Sequence, residues 1–185
     1  MGFKGQKIIP AIRSMKDFEK MLKSPYTYGV LLEIHLGLLQ SVMRYAEESN
    51  KKLFLHLDLI QGLGQDEAAT DFICQVFKPY GLISTKGNVI IKAKQKGLTA
   101  TQRVFIIDSN AMKKSIQLIK KTDPDIVEVL PGVIPKIVAQ VKEATKKTIF
   151  AGGLIETAEE AEKALAAGAS AITTSNSELW ERFSK

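Results

Sequence analysis

The sequence is poor in several patterns that would assign it to a specialised class of protein. Its 185 residues include a single cysteine, so Cys74 has no partner for an internal disulfide. A lone thiol fits a reducing compartment. The most apolar stretch, residues 28–39, is interrupted by Glu33 and His35 and does not reach the ~18 apolar residues of a membrane-spanning helix. The first residues lack the apolar core of a signal peptide, and we expect a cytoplasmic protein without a membrane segment.

Sequence motifs for metals and common cofactors are also missing. The two histidines and the cysteine do not form a zinc-binding pattern, and the scattered acidic residues define no magnesium site. There is no Walker loop and no GxGxxG fingerprint for a dinucleotide. The sequence therefore predicts no metal and no cofactor. It also lacks the RRM, KH and cold-shock signatures of common RNA-binding modules.

What is present is the composition of an ordinary globular domain. Apolar residues make up 45% of the chain and charged residues 25%, which are typical values for soluble proteins. The length suits one domain with a full hydrophobic core. The formal net charge of +6 is compatible with RNA or an anionic metabolite as partner, although charge alone specifies neither.

Short β-like runs alternate with amphipathic helices along the whole chain. Capping patterns mark helix starts, with Ser14 and Asp17 at the first helix and Thr157 and Glu160 at the seventh. Eight β-then-α units of about 23 residues account for the length. Strict alternation implies parallel strands, and eight units favour a compact, single-domain (β/α)8 TIM-type barrel spanning residues 1–185. An open, doubly wound sheet is the structural alternative. The predicted strands are residues 7–13, 28–34, 52–59, 81–84, 103–107, 125–130, 148–151 and 171–174.

Polar side chains are expected at the carboxyl ends of these strands, where such barrels carry their function. Alternation on the third strand points Phe54, His56 and Asp58 into the barrel. Charged side chains inside a barrel are destabilising unless they are paired or hydrated. The grouping of charged residues at one end of the barrel therefore predicts a polar ligand pocket, with Asp58 and Glu128 at strand ends exposed to water. Two residues have structural alternatives, Asp108 as a helix N-cap and His56 as a hydrogen-bonded core histidine. The predicted pocket residues are Arg13, Glu33, His56, Asp58, Lys86, Asp108 and Glu128.

A second group of residues predicts a phosphate site. Gly152 and Gly153 follow the seventh strand, and Ser175 and Asn176 follow the eighth, directly before a short helix. Barrels commonly bind phosphate with the loops after these two strands. Glycines let backbone N–H groups approach an anion, and the Ser and Asn side chains can add donors. A Gly-Gly pair alone is also an ordinary turn, so the prediction depends on the match between the two loops.

Seven segments at strand ends form a recognisable set: Pro10–Ser14, His56–Leu63, Gly81–Lys86, Gln102–Ser109, Val127–Gly132, Gly152–Ile155 and Thr173–Ser175. Together they resemble the glycerol uptake operon antiterminator family of bacterial regulatory proteins. The resemblance runs almost end to end and implies a non-enzymatic barrel whose partners are glycerol 3-phosphate and a leader mRNA. In that scheme the liganded protein acts on the leader of a nascent transcript and prevents termination.

The same pocket admits a second function, namely isomerase, epimerase or aldolase chemistry on a small sugar phosphate. Asp58 and Lys86 would then act as acid and base, or Lys86 would supply a Schiff-base amine. In the regulatory interpretation, Asp58 and Glu128 accept hydrogen bonds from ligand hydroxyls while Arg13 or Lys86 reinforces the anion site. The fold cannot separate the two functions, because such barrels host both.

Lysine clusters on predicted helices five and six are the candidate RNA surface. Each cluster alone is also typical of a solvated helix face, but the adjacent helices could present one continuous basic face. Homo-oligomerisation is left open. The candidate RNA-binding residues are Lys113, Lys114, Lys120 and Lys121 on helix five, with Lys142, Lys146 and Lys147 as further basic residues on helix six.

Overall fold

The computed structural model describes residue 3 and residues 5–184, and its eight long parallel strands close into one barrel. Each strand pairs with the next along the chain, and the last pairs with the first: Ile172 lies opposite Ile8. This closure excludes the open sheet and confirms the predicted barrel. The strands are β1 (Ile8–Ile12), β2 (Tyr28–Leu31), β3 (Lys52–His56), β4 (Gly81–Ser84), β5 (Thr99–Phe105), β6 (Ile126–Leu130), β7 (Thr148–Gly152) and β8 (Ala171–Thr174).

One helix follows each strand and packs on the outside of the barrel. None of the helices in the described part of the chain is long and apolar enough to cross a membrane. The helices are α1 (Met15–Lys23), α2 (Leu36–Glu48), α3 (Glu67–Val76), α4 (Gly87–Gln95), α5 (Ser109–Thr122), α6 (Pro135–Thr145), α7 (Ala158–Ala166) and α8 (Ser177–Arg182).

Side-chain caps fix the starts of these helices. The Ser14 hydroxyl accepts a hydrogen bond from the Asp17 N–H, and Thr157 with Glu160 forms a complete capping box. Each cap satisfies an N–H group that the first helical turn leaves without a partner. These two predicted helix starts are therefore confirmed.

The barrel interior is apolar at its amino-terminal end and polar towards its carboxyl end. Ile9, Phe54 and Phe150 belong to a buried interior cluster, in which the two phenylalanine rings meet edge to face. A larger apolar cluster fills the space between strands and helices. Further along the strands, the interior instead carries buried polar side chains, so any ligand chemistry must lie at the carboxyl end. These side chains are His56, Thr101, Glu128 and Thr173.

Three strand boundaries lie three or more residues from those predicted, and each changes where a polar residue lies. β5 begins at Thr99 instead of Arg103, because threonines packed inside the barrel continue the strand. β2 ends at Leu31, which leaves Glu33 in the following loop. β3 ends at His56 and passes into a 3₁₀ turn over Leu57–Leu59. Beyond these ends, Ile34–His35 and Ile60–Gln61 form a separate two-residue parallel pairing.

Candidate functional site

The carboxyl end of the barrel opens into a cavity of about 830 Å³. Strand ends on both sides of the barrel contribute to it, together with the two loops 152–157 and 173–176. Its volume lies within the range of small-molecule sites. The charged side chains that line it are Arg13, Glu33, Arg103, Glu128 and Glu156.

A buried ion pair forms the floor of this cavity. Arg103 Nε donates a hydrogen bond to Glu128 Oε2 at 2.6 Å, and Thr173 Oγ1 donates to Glu128 Oε1 at 2.6 Å. The Glu128 side chain is only 1% exposed, so the expectation that this carboxylate lies in water is wrong. Removing two charges from water is costly, and buried pairs are weak evidence for stability. The pair is therefore a functional candidate, with Arg103 presented towards the cavity.

Gly152 makes this floor possible. A Cβ atom at this position would collide with Thr173 Oγ1 and lie 3.3 Å from Glu128 Oε1. Glycine thus lets the β7 backbone pass close to the hydroxyl–carboxylate pair. The next residue, Gly153, has a φ of +78°, a conformation that glycine adopts without a steric penalty. The loop after β7 therefore turns sharply at the edge of the cavity.

The loop after β8 forms the adjacent edge. The Asn176 side chain accepts a hydrogen bond from the Glu178 N–H at 2.9 Å and donates one to the Glu156 carbonyl at 3.0 Å. It therefore ties the two loops together and keeps one N–H for another partner. The Ser175 side chain is exposed. The four predicted phosphate-site residues thus line one cavity, and their binding of phosphate stays a prediction.

The outer rim of the cavity carries a second ion pair. Arg13 Nη2 lies 2.9 Å from Glu33 Oε1, and both side chains are largely exposed. Exposed pairs of this kind contribute little to stability, so Arg13 can turn to another anion at small cost. The predicted pocket residues Arg13, Glu33 and Glu128 are therefore brought together.

His56 lies deeper in the barrel and has no hydrogen-bond partner in the described chain. Its ring is 2% exposed, and both ring nitrogens are unpartnered. Burial, reinforced by the positive charge of Arg103, lowers the pKa of His56 to about 4, so the imidazole is neutral at pH 7. The alternative of a hydrogen-bonded core histidine is not what the structure describes.

A second unpartnered group lies in the same layer of the barrel. The buried Thr101 hydroxyl has no partner among the described residues. Ile83 stands opposite His56 on one side and Thr101 on the other, and Thr101 precedes Arg103 by two residues on β5. Leaving a buried polar group unsatisfied costs about 1–3 kcal/mol. Neither residue lines the cavity, but His56 lies close enough to Arg103 and Glu128 of the floor for their charges to act on its pKa.

Four predicted pocket residues, His56 among them, do not line the cavity. The 3₁₀ turn after His56 directs Asp58 towards the β4–α4 loop, where its carboxylate accepts hydrogen bonds from the Ser84 hydroxyl and from the Thr85 N–H at 2.8 Å. Burial opposes ionisation of Asp58, but these hydrogen bonds outweigh it and lower its pKa. Lys86 is exposed at the start of α4. The N-cap alternative for Asp108 is confirmed, because its side chain accepts from the Ala111 N–H at 2.7 Å.

The sequence pattern does not mark Arg103, Thr101 or Thr173 as candidate site residues. The predicted fifth strand starts at Arg103. The prediction therefore does not include Thr99 and Thr101, which share one face of the strand with Arg103. Extending the strand by four residues would have pointed Arg103 into the barrel beside Glu128. No signal of comparable strength marks Thr173, whose role depends on its contact with a carboxylate 45 positions away.

Comparison with known proteins agrees with this architecture. The family model "Glycerol-3-phosphate responsive antiterminator" matches residues 8–180. A glycerol uptake operon antiterminator regulatory protein from Listeria monocytogenes is 47% identical, with 98% of each chain covered and a TM-score of 0.95. A related protein from Thermotoga maritima is 32% identical over 95% of this chain and 98% of its own, with a TM-score of 0.84.

Enzymes share the barrel at greater distance. A deoxyribose phosphate aldolase from Aeropyrum pernix is 18% identical, with 96% of this chain and 89% of that chain covered and a TM-score of 0.72. Similarity at this level shows a common fold only, because one barrel architecture supports many unrelated functions.

Proposed function

The chain belongs to the glycerol-3-phosphate responsive antiterminator family, and from this premise we propose that glycerol 3-phosphate binds in the barrel mouth. The metabolite-bound protein then acts on a leader mRNA and prevents termination. The observation that carries the proposal is the cavity floor, where a buried Arg–Glu–Thr network lies between a glycine loop and two unpartnered polar groups.

The phosphate end of the ligand takes the side of the cavity formed by the two loops. Gly153 provides a backbone without a side chain, and Ser175 adds a hydroxyl donor at the same edge. Arg13 and Arg103 supply positive charge from the rim and the floor. Arginine guanidinium groups suit phosphate because they donate several hydrogen bonds in a fixed geometry.

The hydroxyl end of the ligand points towards the floor. Glu128 already accepts one hydrogen bond on each carboxylate oxygen, and each oxygen has a further lone pair. The neutral His56 ring can donate from one nitrogen and accept at the other, which matches a hydroxyl. The Thr101 hydroxyl completes the deeper group. This polar end requires hydroxyls on the ligand, in addition to a phosphate.

Regulation without catalysis is the function that the lining residues favour. The described residues that line the cavity include no lysine, histidine or cysteine, so a Schiff-base amine is missing there. The acid–base pair considered for an enzyme, Asp58 and Lys86, stands outside the cavity. The Asp58 carboxylate accepts hydrogen bonds from Thr85 in the β4–α4 loop. We therefore infer a sensor that acts on nascent RNA in the cytoplasm.

In vitro transcription tests this function directly. The template carries the leader and terminator of a glycerol-uptake operon, and readthrough is measured with purified protein and either glycerol 3-phosphate or glycerol. Readthrough should rise only with the phosphorylated compound and should weaken in T173V, which removes the hydroxyl donor to Glu128 at nearly constant volume. Readthrough independent of glycerol 3-phosphate, or conversion of the metabolite to a product by the protein, would overturn the proposal.

A further inference from the structure

Positive charge is concentrated in one continuous part of the chain. Residues 72–142 contain twelve lysines and arginines but four acidic residues, giving this segment a net charge of +8, whereas the rest of the chain has a net charge of −2. The segment includes α4, α5 and most of α6, which are neighbours on the outside of the barrel. The basic character of the protein therefore comes from one side.

Six exposed lysines on this side have no acidic partner within the described chain, and we call them the lysine face. α4 and α5 contain no acidic residue at all, and the single acid of α6, Glu143, pairs with Lys146. Other helices mix their charges, as α7 does with Glu159 and Lys163. The lysine face consists of Lys86, Lys113, Lys114, Lys120, Lys121 and Lys136.

The acidic groups near this face are already engaged. Asp108 caps α5, and Asp125 accepts a hydrogen bond from the Ala100 N–H at 2.8 Å. Asp123 binds the ammonium groups of Lys94 and Lys147. The lysine face is therefore uniformly positive. Among the described residues, no carboxylate is directed at its six ammonium groups.

The dimensions of the face select the kind of anion that it fits. Lys113 and Lys120 are seven residues apart on α5, which corresponds to about 10 Å along the helix. Lys86 and Lys136 start the flanking helices, whose axes are about 8–10 Å from that of a packed neighbour. A small anion cannot contact groups spread over this area, but a polyanion can.

We propose that the lysine face binds the phosphate backbone of the RNA on which the protein acts. The proposal rests on the proposed function and extends the helix-five candidate to the starts of α4 and α6. The helix-six lysines Lys142 and Lys147 contribute less, because Lys142 donates to the Lys147 carbonyl and Lys147 pairs with Asp123.

Two exposed apolar side chains lie at the carboxyl end of β5, directly before α5. Phe105 ends β5 and is 52% exposed, and Ile107 in the next loop is 83% exposed. An exposed aromatic ring beside unpaired lysines offers a stacking surface for an RNA base. Phe105 is also two residues from Arg103 on the same strand, so the RNA surface begins beside the floor of the metabolite cavity.

Binding of a labelled 20-nucleotide oligouridylate tests the surface. Fluorescence anisotropy is recorded between about 50 and 200 mM salt for the wild type and for K113Q/K114Q/K120Q/K121Q. Each lost contact should reduce the slope of log affinity against log salt by about 0.7. Four lost contacts should therefore make the affinity of the variant fall about fifty-fold less than that of the wild type between the two salt concentrations. The matched control, K7Q/K16Q/K23Q/K163Q, removes the same charge from α1, α7 and the start of β1. It should bind like the wild type.

The outcomes separate the surface from the function. An equal loss of RNA affinity in both quadruple variants, or no loss in the lysine-face variant, would overturn the assignment of RNA binding to this face. Neither result would contradict the proposal that the protein binds RNA. A wild type that shows no salt-dependent RNA binding would instead contradict the RNA part of the proposed function as well. Lysine-face variants that retain the RNA but lose antitermination would indicate that the face contacts a protein.

Discussion

At the scale of single residues, the most informative group is a histidine that the fold leaves without a partner. His56 is buried beside Arg103 and Glu128, and its depressed pKa of about 4 keeps it neutral. An unprotonated imidazole in this place can serve a neutral hydroxyl, whereas a protonated one would compete with Arg103 for Glu128. We therefore propose that His56 serves ligand binding, because its packing alone does not explain a buried imidazole without a partner among the described residues.

Acidification should therefore destabilise the protein through His56. The unfolded chain takes up the proton near pH 6.5 but the folded protein only near pH 4, so stability is lost as the pH falls from 6.5 towards 4. At pH 5 this loss amounts to about 2 kcal/mol. Urea unfolding at pH 7 and pH 5 should show the loss in the wild type and not in H56Q, which cannot titrate. Identical pH dependence in the two proteins would refute the neutral, buried histidine.

The Arg103–Glu128 pair makes a second residue-scale prediction. R103M leaves Glu128 buried without its cation and should lower the free energy of unfolding by about 3 kcal/mol. The double variant R103M/E128M replaces both charges by apolar groups and should recover most of this stability, while still failing to bind glycerol 3-phosphate. Denaturation and titration calorimetry on the same samples check both effects. Full binding by the double variant would show that the pair is structural.

At the scale of elements, the loop after β7 is the part of the site whose shape depends on backbone conformation. Gly153 and Gly97 have nearly the same positive φ, +78° and +76°, but only Gly153 lines the cavity. Alanine at either position should cost about 1 kcal/mol of stability. G153A should also weaken glycerol 3-phosphate binding, whereas G97A should leave it unchanged, as measured by calorimetry. An equal effect of the two variants on affinity would remove the loop from the phosphate site.

The order and type of the elements were predictable because each follows from a local pattern. Alternating strands and helices, the caps at Ser14 and Thr157, and the eight-fold repeat together specify the barrel. Strand ends were less predictable, since they depend on tertiary contacts. Thr99 and Thr101 resemble a polar loop in the sequence, yet they continue β5 because they pack inside the barrel.

These errors at strand ends explain the uneven prediction of the site. Glu128 and the two loops are predicted from position alone, because barrels carry ligands there, and the structure places them around one cavity. Asp58 was placed in the pocket by alternation, but a 3₁₀ turn breaks that alternation directly after His56. Arg103 was missed for the opposite reason, since its strand starts earlier than expected. A one-residue change of phase moves a side chain to the other face.

At the scale of the whole molecule, the two proposals assign different anions to different parts of the barrel. We propose that a small phosphorylated metabolite binds in the mouth and that RNA binds on the outer face of α4 to α6. β5 contributes to both, since Arg103 lines the cavity and Phe105 is exposed at the end of the strand. Under these two proposals, we expect bound metabolite to influence RNA binding through the strand that both sites share.

The central claim, that the mouth recognises a phosphorylated polyol, is tested most directly by thermal unfolding with glycerol 3-phosphate and with glycerol. At about 100 times its Kd the ligand should add about 2.7 kcal/mol to stability, which corresponds to a rise in Tm of about 5–10 °C for a domain of this size. Glycerol at the same concentration should produce no comparable rise, because it leaves the phosphate loops unoccupied. An equal rise with glycerol, or none with glycerol 3-phosphate, would contradict the account.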